Sequence, residues 1–334
     1  MKNMVQGALR VAEPRRGEVS PPDGEPRFQI FLADAFVWMR SHPSNSVHAI
    51  VTDPPYGLKE YSAAEKQKLR IGRGGVWRIP PAFDGCKRSP LPRFTVLDET
   101  DRRALHSFFS EFAKQAARVL VPGGHILIAT NPLLSHLVYL PLIEAGFEKR
   151  GEIIRLVQTL RGGDRPKNAH DEFPEVTVMP RSGWEPWGLF RKPCEGRVQD
   201  NLRKWGTGGL RRVSQDAPFV DVIRSSPTRP EERKIAPHPS LKPQSFMRQM
   251  VRAALPLGRG VILDPFMGAG STVAAAVAVG YTSVGVEHDP AYFEIARKSI
   301  HSLAQLTVNG ACSGSGSTRG RSAATKRSKA DSYR

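Results

Sequence analysis

Cysteine is scarce, with three residues in 334 (Cys86, Cys194 and Cys312). An odd number with no close pair argues against a disulfide framework and a zinc site, and points to a reducing, cytoplasmic setting. Long apolar runs are also missing. None approaches the ~18–20 residues that cross a bilayer, and "MKNMVQGALRVAEPRRGEVSPPDGEP" lacks the apolar centre of a signal peptide. Acid is in deficit: 32 Asp and Glu stand against 49 Lys and Arg, a formal net charge of +17. An excess that large favours a polyanionic partner. What remains, at 40% hydrophobic, is ample for a folded core.

The ends differ from the middle. Residues 1–26 are rich in Pro, Gly and charge and read as a flexible arm, while 306–334 form a basic, Ser/Gly-rich, disordered tail. Between them strands and helices alternate. "RFQIFLAD" and "SVHAIVTD" read as strands and "DRRALHSFFSEFAKQAARVLVPGG" as a helix with a Pro-Gly-Gly stop. "HILIAT" is a buried strand, and "GEIIRLVQTL" with "PEVTVMP" reads as a strand pair. Later come the helix "PQSFMRQMVRAAL", the strand "GVILDPF", a glycine loop, a helix and the strand "TSVGVE". The expected fold class is α/β, a doubly wound, mostly parallel sheet with one antiparallel edge hairpin.

Two stretches break the rhythm. Residues 58–97 carry nine Lys and Arg against three Asp and Glu, and 161–236 combine many Arg with Trp184, Trp187 and Trp205. Long irregular loops in a compact domain are usually functional or disordered, and the tryptophans argue against disorder in the second.

Two short motifs carry chemistry. In "VTDPPYG" two prolines remove two backbone donors and fix two φ angles, so the strand must stop. The result is a stiff corner presenting Asp53 and Tyr56 at a strand end. In "VILDPFMGAGST" the glycines permit a tight turn and close approach to a ligand, Ser271 or Thr272 can cap the next helix, and Glu287 ends the following strand. An acid there can accept the ribose hydroxyl hydrogens of an adenosine cofactor. The loop lacks the full dinucleotide fingerprint and the lysine of a P-loop; a plain strand-to-helix turn is the alternative.

Together these residues resemble the amino-group DNA methyltransferases. The signature (D/N/S)-P-P-(Y/F/W) is matched by Asp53, Pro54, Pro55 and Tyr56, and F-x-G-x-G by Phe266, Gly268 and Gly270. "HPSLKP", His238 to Pro243, matches a third element. The catalytic corner precedes the cofactor loop, which is the order of the beta class, and the resemblance spans roughly residues 27–305.

The resemblance implies a Rossmann-like methyltransferase sheet in two halves, 27–160 catalytic and 237–305 cofactor-binding, around a target-recognition region at 161–236. It implies S-adenosyl-L-methionine as cofactor and no metal, because the cationic sulfur is already a leaving group. Asp53 and the Pro54 carbonyl would accept the hydrogens of an exocyclic amino group, and Tyr56 would stack on the flipped base. Asp264, Phe266, Gly268 and Gly270 would cradle the methionine part, Glu287 the ribose, and Lys242 with Ser240 the carboxylate. Asp34 matches the acid that contacts the adenine amino group; capping the helix "AFVWM" is its other use. An Asp first and a Tyr last lean toward adenine N6 over cytosine N4. Double-stranded DNA is the implied partner, with a cognate restriction endonuclease and a homodimer as further expectations. The basic insert 58–97 could close over the flipped base or lie solvated. "RGGDRPKNAH" and "DNLRKWGTGGLRR" are the candidate DNA-contacting stretches. RNA or protein methylation, a non-catalytic DNA binder and a dinucleotide-dependent oxidoreductase are the rivals. The first is disfavoured by Asp53 and the motif order, the second by the intact motifs, and the third by the proline corner.

Overall fold

The computed structural model describes residues 15–18, 28–55, 82–83, 86–87, 97–157, 165–166, 168–238 and 240–308. The strands are β1 (Arg15–Glu18), β2 (Phe28–Leu32), β3 (Val47–Thr52), β4 (Ala82–Phe83), β5 (Cys86–Lys87), β6 (Leu120–Ala129), β7 (Glu148–Leu156), β8 (Trp184–Arg191), β9 (Val222–Arg224), β10 (Val261–Asp264) and β11 (Thr282–Glu287). The helices are α1 (Ala35–Ser41), α2 (Glu99–Val119), α3 (Ser135–Glu144), α4 (Val198–Trp205), α5 (Pro230–Ile235), α6 (Gln244–Ala254), α7 (Ser271–Ala278) and α8 (Pro290–Gln305). Apart from the β4-β5 hairpin, the strands form one sheet in the order β1-β2-β11-β10-β3-β6-β8-β7-β9.

The five central strands β2, β11, β10, β3 and β6 are mutually parallel. Their sequences dictate this: "VHAIVT" and "VILD" are almost continuously buried, as strands covered on both faces must be. Alternate residues feed opposite layers. Ile50, Ile126 and Ile128 pack with Phe109, Phe112 and Val138 of α2 and α3. Ala49, Val51, Leu127 and Ala129 pack with Phe246, Met250 and Val251 of α6. A third cluster closes α7 and α8 over β2 through Val273, Ala296 and Ile300.

The antiparallel element differs from the expected edge hairpin. The strand beside β7 is β8, and "PEVTVMP" forms turns and bends without strand pairing. β8 lies inside the sheet, antiparallel to both β6 and β7, and β9 adds outside β7 in parallel. The stretch expected to be a recognition region thus contributes a core strand, with Trp187 fully buried. At the other edge, residues 15–18 within the stretch read as an arm pair antiparallel with β2.

β3 and β10 are neighbours, yet the chain leaves β3 toward β6 and β10 toward β11. Their carboxyl ends therefore bound a topological switch point, where open α/β sheets bind ligands. The switch point puts Asp53 beside Asp264.

Candidate active site

Asp53 emerges from the carboxyl end of β3, immediately before Pro54 and Pro55. Its side chain is 18% exposed, and Oδ1 is buried with no hydrogen-bond partner among the described residues. Oδ2 is paired with the Nζ of Lys242, which stands in the segment entering α6. Burial pushes the Asp53 carboxyl up from its usual range, and the Lys242 ammonium opposes that shift. A buried acid with one oxygen held and the other unmatched is a hydrogen-bond acceptor awaiting a donor.

Asp264 ends β10 and is also buried. Its Oδ1 accepts from Thr52 Oγ1 at 2.7 Å and from the Phe266 backbone N–H at 3.2 Å. Burial drives its carboxyl up to about 6, against the pull of hydrogen bonds from Thr272, Thr52 and Phe266. The Thr52–Asp264 bond ties the proline corner to the glycine loop across 212 positions of sequence.

The loop after β10 turns on glycine. Gly268 has φ +52° and Gly270 φ +83°, both in the left-handed region. A Cβ on Gly268 would come within 3.2 Å of the His238 ring, and one on Gly270 within 2.7 Å of Ile300 Cγ1. Gly270 itself is the N-cap of α7, with no side-chain capping bond. This corrects the expectation that Ser271 or Thr272 caps the helix. The Ser271 hydroxyl accepts the Lys242 backbone N–H at 3.3 Å, and Thr272 serves Asp264. The first turn of α7 is therefore left without a side-chain cap at the cavity wall, with the positive end of its dipole there.

Glu287, at the end of β11, is fixed by two backbone donors, Gly268 N–H at 2.9 Å and Asp289 N–H at 2.8 Å. Each bond leaves acceptor capacity on its oxygen. Asp34 follows β2, the strand next to β11, and accepts the Val37 N–H at 2.9 Å. It caps α1 and is exposed, so its helix-cap use is realised. Tyr56 and most of 58–97 lie outside the described residues.

Asp53, Ser240, Lys242, Asp264, Phe266, Gly268, Ser271 and Thr272 line one open cavity, with about 40 Å3 of room for the centres of water-sized molecules. The orphaned Asp53 Oδ1, the two cradle glycines and the anchored Glu287 fit an adenosine cofactor, and the positive end of α7 fits a carboxylate on it. The wall also contains His238, which sequence reasoning left out. Its Nδ1 accepts the Ser240 N–H at 3.1 Å and its ring meets Tyr292 at 4.3 Å. Burial, with Lys242 nearby, lowers it to about 4, so it is neutral at physiological pH.

Two further residues had no signal in a motif. Glu185 of β8 lies 3.6 Å from Lys242 Nζ and 2.9 Å from Arg155 Nη1. The only hint was an acid inside the apolar run "WEPWGLF".

The two Arg-rich stretches separate. Leu156 and Trp184, the ends of β7 and β8 that face their connection, lie at the same end of the sheet as Asp53, whereas Asn201 of α4 donates to the carbonyl of Pro122 (3.0 Å) near the start of β6. "DNLRKWGTGGLRR" thus sits at the opposite end of the parallel strands, about 17 Å away for a six-residue strand.

The fold and the lining of this cavity suit a small molecule held at a switch point. A family model described as DNA methylase matches residues 47–298, and the chain belongs to that family. It is 31% identical over 269 residues to the Type II methyltransferase M2.LlaDCHI of Lactococcus lactis subsp. cremoris, covering 80% of this chain and 87% of that protein. It is 29% identical over 268 residues to M2.DpnII of Streptococcus pneumoniae, covering 80% and 87%. Among solved structures, the PvuII DNA methyltransferase, titled cytosine-N4-specific, shares the fold with TM-score 0.53 and 13% identity over 86% of this chain and 91% of that one. A DNA modification methylase of Thermus thermophilus, complexed with S-adenosyl-L-methionine, aligns with TM-score 0.50 and 21% identity over 81% and 94%. The protein is an S-adenosylmethionine-dependent DNA methyltransferase.

Proposed function

We propose that the chain methylates the exocyclic N6 of an adenine flipped out of double-stranded DNA, at one short sequence. The observation that carries transfer to an exocyclic amino group is the unmatched, buried Oδ1 of Asp53 at the cavity, and the choice of adenine rests on Asp53 first and Tyr56 last in the motif.

An exocyclic amino group is a poor nucleophile because its lone pair is delocalised into the ring. Asp53 Oδ1 and the Pro54 carbonyl accept its two N–H hydrogens and favour a more tetrahedral nitrogen. Pro54 and Pro55 fix these acceptors before the base arrives, so little reorganisation accompanies the reaction. Tyr56 stacks on the extruded base. Asp264, Phe266, Gly268 and Gly270 hold the methionine part of the cofactor, Glu287 its ribose, and Ser240 with Lys242 lies near its carboxylate. Asp34 caps α1 through Oδ1 and keeps Oδ2 for the adenine amino group of the cofactor. When bound, S-adenosylmethionine supplies an electrophilic methyl on a cationic sulfur that departs unaided. The chain's part in catalysis is alignment and electrostatics.

The segment between β7 and β8 carries target recognition in this reading, since both its ends lie at the same end of the sheet as Asp53. A restriction endonuclease of the same specificity is the proposed partner, and sedimentation of the purified protein tests a homodimer.

Single-molecule sequencing of DNA from a methylation-free host expressing the chain tests the base assignment. Modified adenine in one motif, absent with Asp53→Ala, is expected. Modified cytosine would keep the mechanism and overturn the base; no modification from soluble protein would overturn both.

A further inference from the structure

Behind Asp53 stands a buried chain of alternating charges that no motif includes. Lys242 Nζ touches Asp53 Oδ2 on one side and lies 3.6 Å from Glu185 Oε1 on the other. Glu185 is locked in turn: Oε1 accepts Trp187 Nε1–H at 3.0 Å and Oε2 accepts Arg155 Nη1–H at 2.9 Å. Arg155, 5% exposed, is fixed by Ser225 Oγ at 3.0 Å and the Ser226 carbonyl at 3.1 Å, and its guanidinium lies 5.3 Å from the Phe246 ring centre. Arg155 and Glu185 are direct cross-strand partners on β7 and β8.

Two acids and two bases make the cluster electroneutral. A lysine ammonium on a flexible stem, facing one carboxylate alone, would settle across both oxygens. Here a second carboxylate draws it to one side. We propose that Glu185 and Arg155 are positioning residues for methyl transfer: they hold Lys242 against Oδ2 of Asp53 and so keep Oδ1 open for the target amino group. The inference rests on Asp53 being the acceptor for that group.

The charged groups facing Asp53 are Lys242 from the segment before α6, Glu185 from β8, Arg155 from β7 and Asp264 from β10. Removing the Glu185 charge takes away a neighbour that raises the Asp53 carboxyl and leaves the opposing Lys242 in place. The acidic limb of the single-turnover pH profile should then move to lower pH.

The test measures transfer of a labelled methyl group to unmethylated genomic DNA from a methylation-free host, over pH 5–8. For Glu185→Gln the expected results are a kcat lower by roughly ten- to a hundredfold, KM for cofactor and DNA within about threefold, and the limb shifted downward. Glu185→Asp, which keeps the charge, should leave the limb near wild type, and it serves if the glutamine variant fails to fold. In a Lys242→Met background Glu185→Gln should add little, because its effect passes through the lysine. A kcat loss that adds fully to that of Lys242→Met, or a limb unmoved by Glu185→Gln, would overturn the proposal. Full activity in Asp53→Asn would instead sink the reading of Asp53 itself.

Discussion

Asp264 makes a prediction whose sign and size follow from its surroundings. Its carboxyl is raised from 3.8 to about 6, first by burial. The folded chain therefore holds this proton more tightly than the unfolded chain. The stabilisation from the protonated form is complete below pH 3.8 and is lost as pH rises through about 6. The window spans roughly two pH units at about 1.4 kcal/mol each, so ionised Asp264 costs the protein about 3 kcal/mol at pH 7.5. Asp264→Asn keeps the shape and an oxygen for Thr52 and Phe266 without the charge. Its stability in urea at pH 7.5 should exceed wild type by up to about 3 kcal/mol, or roughly 4 °C in Tm for a chain of this size. The advantage should vanish at pH 4. Cofactor affinity should move the other way: the wild type should weaken as pH falls below 6, and the variant should be weak and flat. Calorimetric titration and urea melts on both proteins measure the two halves. An asparagine variant less stable than wild type at pH 7.5, with the gap unchanged at pH 4, would refute the reasoning.

Other perturbations separate scaffold from site. Gly270→Ala combines a left-handed backbone with a Cβ 2.7 Å from Ile300, so urea melts should show a loss of about 2–4 kcal/mol. Gly268→Ala meets only the His238 ring at 3.2 Å, so it should fold and show weaker cofactor binding by calorimetry. Asn201→Ala strands the Thr207 carbonyl and the Glu195 N–H, while the Pro122 carbonyl keeps the Thr207 hydroxyl, and should cost about 1–3 kcal/mol in thermal or urea melts. Because α4 lies at the far end of the sheet, kcat/KM of the folded fraction should be unchanged. Glu287→Gln keeps an acceptor for only one of the Gly268 and Asp289 N–H groups and sets its amide NH2 against the other, so it should weaken cofactor binding about tenfold and cost about 1–3 kcal/mol in urea melts.

The parts of the fold legible in sequence were those governed locally. Continuous apolar runs flanked by helical periodicity identified β3, β6, β10 and β11, and the prolines after Asp53 ended β3 where the structure ends it. Gly268 and Gly270 were readable because their φ values are ones other residues rarely adopt. Register over distance was not legible. "PEVTVMP" has strand-like alternation, whereas "WEPWGLF" contains a proline that argues against an interior strand. The structure removes the objection: pairing with β6 ends at Trp187, so Pro186 needs no N–H toward β6, and its carbonyl accepts from Thr130 at 3.1 Å. The capping of α7 was misplaced because Ser271 and Thr272 are drawn away by Lys242 and Asp264, contacts that no local window contains. The Arg155–Glu185–Lys242 chain likewise needs three separate segments folded together.

The central claim is that Asp53, buried beside the cofactor cavity, accepts the hydrogens of the target amino group. Single-turnover methyl transfer by Asp53→Asn, with cofactor binding measured on the same protein, tests it most directly. The account predicts binding within about threefold of wild type and transfer slower by at least ~10²–10³, the cost of removing an aimed transition-state partner. Transfer within a few-fold of wild type, with cofactor binding intact, would contradict it.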